Sequence, residues 1–240
     1  MSSFSDITEE YSKNYSDISD MKSMYFRRRL EIVSQLVGTL NPGSLLDLGC
    51  GSGEVTAEIG KLMPNVEITL VDESLGMLKI AEENLKALQI DPQVIQASLE
   101  KTLIFTQKEV ILLIGIVAYI ENMEAVVNTC KICAMKSKTK VIIQITDMYH
   151  PLHLAARFIY RIFKGDKRSK LHYTNLKQRS MKALDSAMCA GEFKRTNTKR
   201  YGFDMPGVMD LKIPLFTNKF ARMVDRLVGT DLICTYETMN

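Results

Sequence analysis

Two hydrophobic periods alternate along this chain. Short apolar runs of strand length are separated by longer stretches in which apolar residues return every three or four positions. "MYFRRRLEIVSQLVGTL" has Leu30, Val33, Leu36 and Val37 on one stripe and predicts a helix, which "NPG" at 41–43 stops. "SLLDLG" predicts a buried strand, "EVTAEIGKLM" a helix closed by Pro64, and "EITLVD" a second strand. "SLGMLKIAEENLKALQI" predicts a second helix in the repeat, with Leu75, Leu78, Ala81, Leu85 and Leu88 inward. "QVIQAS", "EVILLIGIV" and "KVIIQITD" predict three more strands, the second apolar almost throughout, with "NMEAVVNTCKICAM" as the helix before the third. This rhythm predicts an α/β, doubly wound sheet, mostly parallel, with helices on both faces. In the last 90 residues, "HPLHLAARFIYRIFKGDKRSKLHY", "NLKQRSMKALDSAMCAG" and "NKFARMVDRLVG" predict helices. "EFKRTNTKRYGFD" and "DLICTYETM" predict strands, and the last is expected to run antiparallel. Three regions follow: an N-terminal helical lid (1–40), a core (41–150), and a completion of the sheet with a helical substrate-binding cap (151–240).

Composition narrows the class without naming a function. At 240 residues, 46% hydrophobic and 25% charged, the chain is an ordinary globular protein. A net charge of +3 does not by itself imply nucleic acid. No run approaches the roughly 18–20 apolar residues of a membrane span. The first 20 residues are polar and acidic, unlike a secretory signal, and the five irregularly spaced cysteines suit a reducing compartment, so a cytoplasmic location is expected. Cys130 and Cys133 form a lone CxxC without a second ligand pair, and no metal site is expected.

The candidate chemistry lies in "SLLDLGCGSGEVT" (44–56), a glycine-rich turn between a strand and a helix. The Lys-Ser/Thr pair of a phosphate-binding P-loop is missing, which excludes a Walker A loop. A dinucleotide fingerprint fits at Gly49 and Gly51 but has Glu54 where its third glycine belongs. Asp47, two residues before the first glycine, places negative charge where a diphosphate would lie and favours an ammonium instead. Asp72 ends the second strand nineteen residues past Gly53, where an acid accepts from ribose hydroxyls. A ligand with an amino-acid group and an adenosine but no phosphate fits, and S-adenosylmethionine is such a ligand.

"LLDLGCGSG" and "ITLVDESLGML" resemble the first two motifs of class I S-adenosylmethionine-dependent methyltransferases of the small-molecule tailoring type, over residues 40–150. The resemblance implies a Rossmann-like fold. It implies that Asp47 and the loop Gly49, Cys50, Gly51 and Gly53 hold the methionine end. Asp72 would bind the ribose, with Glu73 and Met77 flanking the adenine. Ser98 falls where the family has an acid that reads the adenine amino group. Gly115 and Tyr119 lie in the segment that passes beside the methyl group. "YSKNYSD" resembles an aromatic cap, with Tyr15 over the cofactor and Tyr11 toward the acceptor.

An oxygen acceptor benefits from a general base, and His150 and His153, just past the fifth strand, are the candidates. Tyr149 and His172 are candidate acceptor contacts. Residues 157–200 carry thirteen Lys and Arg against three acids. That balance suits an anionic or carrier-linked small molecule, and "RFIYRIFKGDKR" resembles a membrane-surface segment. No RNA-binding module is recognisable, which argues against nucleic acid. The expected reaction is O-methylation of a biosynthetic intermediate. The alternatives are methylation of RNA, protein or a carrier- or lipid-linked chain, and a non-catalytic domain that only binds the cofactor.

Overall fold

The computed structural model describes residues 21–102, 104–135, 139–147, 149–151, 154–155, 158, 179–202 and 229–239. Its elements run α1 (Met21–Leu40), β1 (Ser44–Leu48), α2 (Glu54–Leu62), β2 (Glu67–Asp72), α3 (Leu75–Lys86), β3 (Gln93–Gln96), β4 (Val110–Leu113), α4 (Met123–Cys133), β5 (Lys140–Thr146), α5 (Met181–Ala190), β6 (Phe193–Tyr201) and β7 (Asp231–Thr238). The strands form one seven-stranded sheet in the order β3-β2-β1-β4-β5-β7-β6. β7 alone runs against its neighbours, pairing antiparallel with both β5 and β6. This is the Rossmann-like, mostly parallel sheet that the strand–helix rhythm predicts. The helix expected over "NKFARMVDRLVG" lies outside the described residues, as does most of "RFIYRIFKGDKR".

Both faces of the sheet are covered, which is why the central strand β4 is apolar at every position. Leu46, Ile111, Leu113, Val141 and Ile143 face α4 and α5, meeting Val126, Cys130, Leu184 and Met188. Leu45, Leu70, Val110, Leu112 and Ile142 face α1, α2 and α3. In α1, Tyr25, Phe26, Ile32, Val33, Leu36 and Val37 are all buried in this second core, and the helix packs along α2. In α3 the inward stripe is Leu78, Ala81 and Leu85. Leu75, expected inward, is instead 50% exposed: it opens the helix, one residue after the Ser74 cap, before the stripe turns onto the sheet. β4 is shorter than its apolar run, because Gly115 takes a φ of 79° and turns the chain out of the sheet.

Parallel strands all end at one edge of the sheet, and neighbours that leave toward opposite faces open a crevice there. β1 lies between β2 and β4 at this point of divergence, so the turn after β1 occupies the crevice.

Candidate active site

The turn from Gly49 to Gly53 joins β1 to α2, and its first two residues are pinned to the next strand. Gly49 and Cys50 donate their backbone N–H groups to the Val71 carbonyl at 2.7 and 3.0 Å. A Cβ at Gly49 would lie 2.6 Å from the Ile116 side chain, and one at Gly53 would lie 2.8 Å from Ala81. These two glycines therefore serve close packing. Gly51 is different: it also has a left-handed φ, 55°, but nothing lies within 4 Å of its absent Cβ. The open space beside a backbone at the head of a helix is room for a ligand to approach.

Two acids flank the turn in different ways. Asp47 is 2% exposed and accepts the Thr56 hydroxyl from the first turn of α2. Burial pushes its carboxyl up to about 7, with nearby Asp72 and Glu54 adding to the rise, while the Thr56 bond and the Arg29 guanidinium oppose it. Asp72 is half-buried and holds backbone with both oxygens: Oδ2 accepts from Gly51 N–H and Oδ1 from Ser74 N–H, each at 2.9 Å. The same carboxylate thus fixes the open part of the turn and the entrance to α3. Cys50 is half-buried, and burial first, then Asp47 and Asp72, raises its thiol well above the ordinary range. It is not poised as a nucleophile.

Beyond Asp72, Glu73 is exposed and Met77 half-buried in the first turn of α3, where the Ser74 hydroxyl accepts the Met77 N–H at 3.3 Å. Ser98 is half-buried in the turn after β3, its carbonyl accepting from Lys101 and Thr102. Gly115 and Ile116 follow β4 beside Gly49, and Tyr119, 68% exposed, stands out from the same loop. The crevice thus brings Asp47, Gly51, Asp72 and Gly115 to one end of three adjacent strands.

A buried polar cluster adjoins it. Arg29 of α1 is 5% exposed, stacks over the Phe26 ring at 4.8 Å, and donates to Gln144 Oε1 at 3.3 Å. Its Nη1 comes within 3.0 Å of the position a Gly115 Cβ would take. The Gln144 amide donates to the Tyr25 hydroxyl at 2.8 Å and to Asp231 at 3.4 Å. Thr146 also donates to Asp231, at 2.8 Å, and Tyr25 stacks on Tyr201 with ring centroids 5.5 Å apart. Tyr149 is 63% exposed and His150 half-buried just after β5, on the same edge. Tyr11, Tyr15, His153 and His172 lie outside the described residues.

Residues 45–135 match the methyltransferase-domain family. That stretch, about two fifths of the chain, is a methyltransferase-domain match and is similar to class I S-adenosylmethionine-dependent methyltransferases. It is 36% identical to demethylmenaquinone methyltransferase of Thermotoga maritima over 83 residues, 35% of each chain. A ribosomal RNA small subunit methyltransferase C of Erwinia tasmaniensis is 31% identical over 90 residues, 36% of this chain and 26% of that one. The matches thus span about a third or less of the length of these curated relatives. Among solved structures, magnesium protoporphyrin IX methyltransferase of Synechocystis PCC 6803, with bound SAH, shares the fold at a TM-score of 0.64. It is 13% identical and is aligned over 98% of this chain and 94% of that one.

The buried polar cluster, whose members flank the matched stretch on both sides, escapes motif reading, yet two of them leave a trace in the sequence. Arg29 sits on the inward stripe of α1, four residues after Tyr25 and three before Ile32. Gln144 interrupts an otherwise apolar strand. The basic 157–200 segment changes character in the structure. Of its six described cations, Arg195 pairs with Asp185, Arg200 with Asp147, and Arg179 grips backbone carbonyls. Lys182, Lys194 and Lys199 are exposed. An open groove of about 610 Å³ between α5 and β6 lies at the far sheet edge, remote from the glycine turn. Among the described residues no His, Cys, Asp or Glu cluster is placed to hold a metal ion, and no helix is long and apolar enough to cross a membrane.

Proposed function

We propose that this chain transfers the methyl group of S-adenosylmethionine to a small-molecule acceptor, with oxygen as the receiving atom. The observation that carries the reading is the open backbone at Gly51, set between a buried acid and a half-buried one. A diphosphate brought to that backbone would meet Asp47 and Asp72, whereas a cationic amino-acid group is attracted. Arg29, close enough to act on Asp47 electrostatically, supplies the complementary positive charge for a carboxylate. The domain's family and the fold of its solved neighbours support the same reading.

In this reading each side chain has a positioning task. Asp72 spends one lone pair of each oxygen on Gly51 and Ser74, leaving the others for the two ribose hydroxyls. Glu73, Met77 and Ser98 border the adenine, and Gly115 leaves room for the Arg29 guanidinium beside the methyl-transfer end of the crevice. When bound, S-adenosylmethionine supplies a methyl group already electrophilic on its sulfonium sulfur. The protein's share is alignment, exclusion of water and, for a hydroxyl acceptor, removal of its proton by the imidazole of His150. Tyr149 stands beside it as an acceptor contact. We place His153, His172 and Tyr11 around the same acceptor, and Tyr15 over the cofactor, from the sequence alone. We also place the protein in the cytoplasm, in keeping with its free thiols.

Calorimetric titration tests the reading. S-adenosylhomocysteine is expected to bind with a dissociation constant on the order of micromolar, about −8 kcal/mol, and NAD not to bind. Binding of NAD alone would overturn it. The ribosomal RNA relative favours a second reading, methylation of RNA. RNA binding whose affinity falls steeply with salt would support that alternative.

A further inference from the structure

The loop from Gly115 to Asn122 carries the chain from β4 to α4, and it is gripped from two distant parts of the sequence. Glu100, in the turn after β3, accepts the Glu121 and Asn122 N–H groups, one on each carboxylate oxygen, both at 2.8 Å. Arg179, just before the Ser180 cap of α5, donates through one terminal nitrogen to the Ile120 and Glu121 carbonyls, at 2.9 and 3.1 Å. Successive peptide groups of one short segment are thus held by an anion on one side and a cation on the other. At its start the loop is fixed by the packing of Ile116 toward Gly49 and by the Tyr119 N–H bond to the Ile116 carbonyl, at 2.8 Å. Asn122 caps α4 with its own side chain, accepting Ala125 N–H at 3.1 Å, so the helix start is secured without Glu100. The other terminal nitrogen of Arg179 is buried with no hydrogen-bond partner among the described residues. The half-buried Arg179 thus leaves one donor arm orphaned while the other grips the loop.

We propose that Glu100 and Arg179 are positioning residues that clamp the 115–122 loop at the methyl-transfer side of the crevice. The proposal rests on the methyltransferase reading above. Glu100 follows directly on the turn assigned to the adenine, and Arg179 stands where the chain comes back from the segment assigned to the acceptor. The clamp therefore ties the two halves of the site to the one loop between them. It holds Tyr119 at a constant place while leaving its ring exposed.

The chain has no tryptophan, so Tyr119→Trp introduces a single indole on the clamped loop, excited selectively at the red edge where the remaining tyrosines do not absorb. Time-resolved anisotropy of that indole reads the loop's motion directly, with no cofactor needed. In the Glu100→Gln and Arg179→Gln backgrounds the amplitude of the fast decay is expected at least to double. Arg179→Lys, which keeps a donor and the charge, is expected to restore part of the rigidity. S-adenosylhomocysteine affinity by calorimetry is expected to change less than threefold, because neither residue holds the cofactor. Unchanged indole motion in both variants overturns the proposal, even if their melting temperatures fall. So does a tenfold loss of S-adenosylhomocysteine affinity with the loop still rigid. Failure of the parent protein to bind S-adenosylhomocysteine would instead sink the methyltransferase reading, and the anisotropy would still decide whether the clamp exists.

Discussion

Burial raises the Asp47 carboxyl from its ordinary 3.8 to about 7. Between the ordinary value of 3.8 and about 7, the folded chain keeps a proton that the unfolded chain has lost. Stability of the empty protein should therefore fall as pH rises through that window and level off above it. Asp47→Asn keeps an oxygen for Thr56 and removes the charge. Urea unfolding should show it more stable than the parent at pH 8, by up to about 4 kcal/mol, with a much smaller difference at pH 4. A cationic ligand favours the ionised carboxylate, so cofactor affinity should rise with pH across the same window. Gly51→Val should abolish S-adenosylhomocysteine binding by filling the open space. Asp72→Ala should weaken it at least thirtyfold, about 2 kcal/mol, because it frees the Gly51 backbone and removes the proposed ribose acceptor.

At the scale of elements, α1 decides how the N-terminal region is understood. Its buried face belongs to the same core as α2, α3 and one side of the sheet, and its polar residues Tyr25 and Arg29 reach the ends of β5 and β4. Leu36→Ala should cost about 2–5 kcal/mol of global stability, read as a lowered urea midpoint. A helix that merely covered the cofactor would leave that midpoint unchanged. Gln144→Leu should cost about 1–3 kcal/mol, because it strips one partner from each of three buried groups, Arg29, Tyr25 and Asp231. The repeated strand–helix pattern was legible in the sequence because each apolar run is buried on both faces and each helix on one. The polar cluster was not, because Tyr25, Arg29, Gln144, Tyr201 and Asp231 are scattered along the chain and meet only when β7 inserts between β5 and β6.

For the whole molecule, binding and folding are linked, since a ligand held only by the folded crevice stabilises all of it. S-adenosylhomocysteine at a hundred times its dissociation constant adds about 2.7 kcal/mol. For a chain of this length that is a rise in melting temperature of roughly 5–10 °C, checked by scanning fluorimetry. Gly51→Val, strained by the left-handed φ at that position, should melt somewhat below the parent without ligand and show no rise with it. The charge balance also has to be judged at this scale. Thirteen cations against three acids read as a basic surface along the chain, but folding assigns Arg179, Arg195 and Arg200 to internal partners.

From the sequence alone came the α/β order, the glycine turn after β1 and the acid at the end of β2, all of them local patterns. Periodicity records which face of an element is buried, and a turn's residue types record its backbone angles, so both survive in one dimension. The tertiary structure alone decided that Gly51 is the open glycine, that Asp47 is shut away from water, that Arg29 reaches Gly115, and that Glu100 and Arg179 grip the backbone at 120–122. Those properties depend on what surrounds a group in space, and the neighbours that desolvate, pair or leave room for it are scattered along the chain.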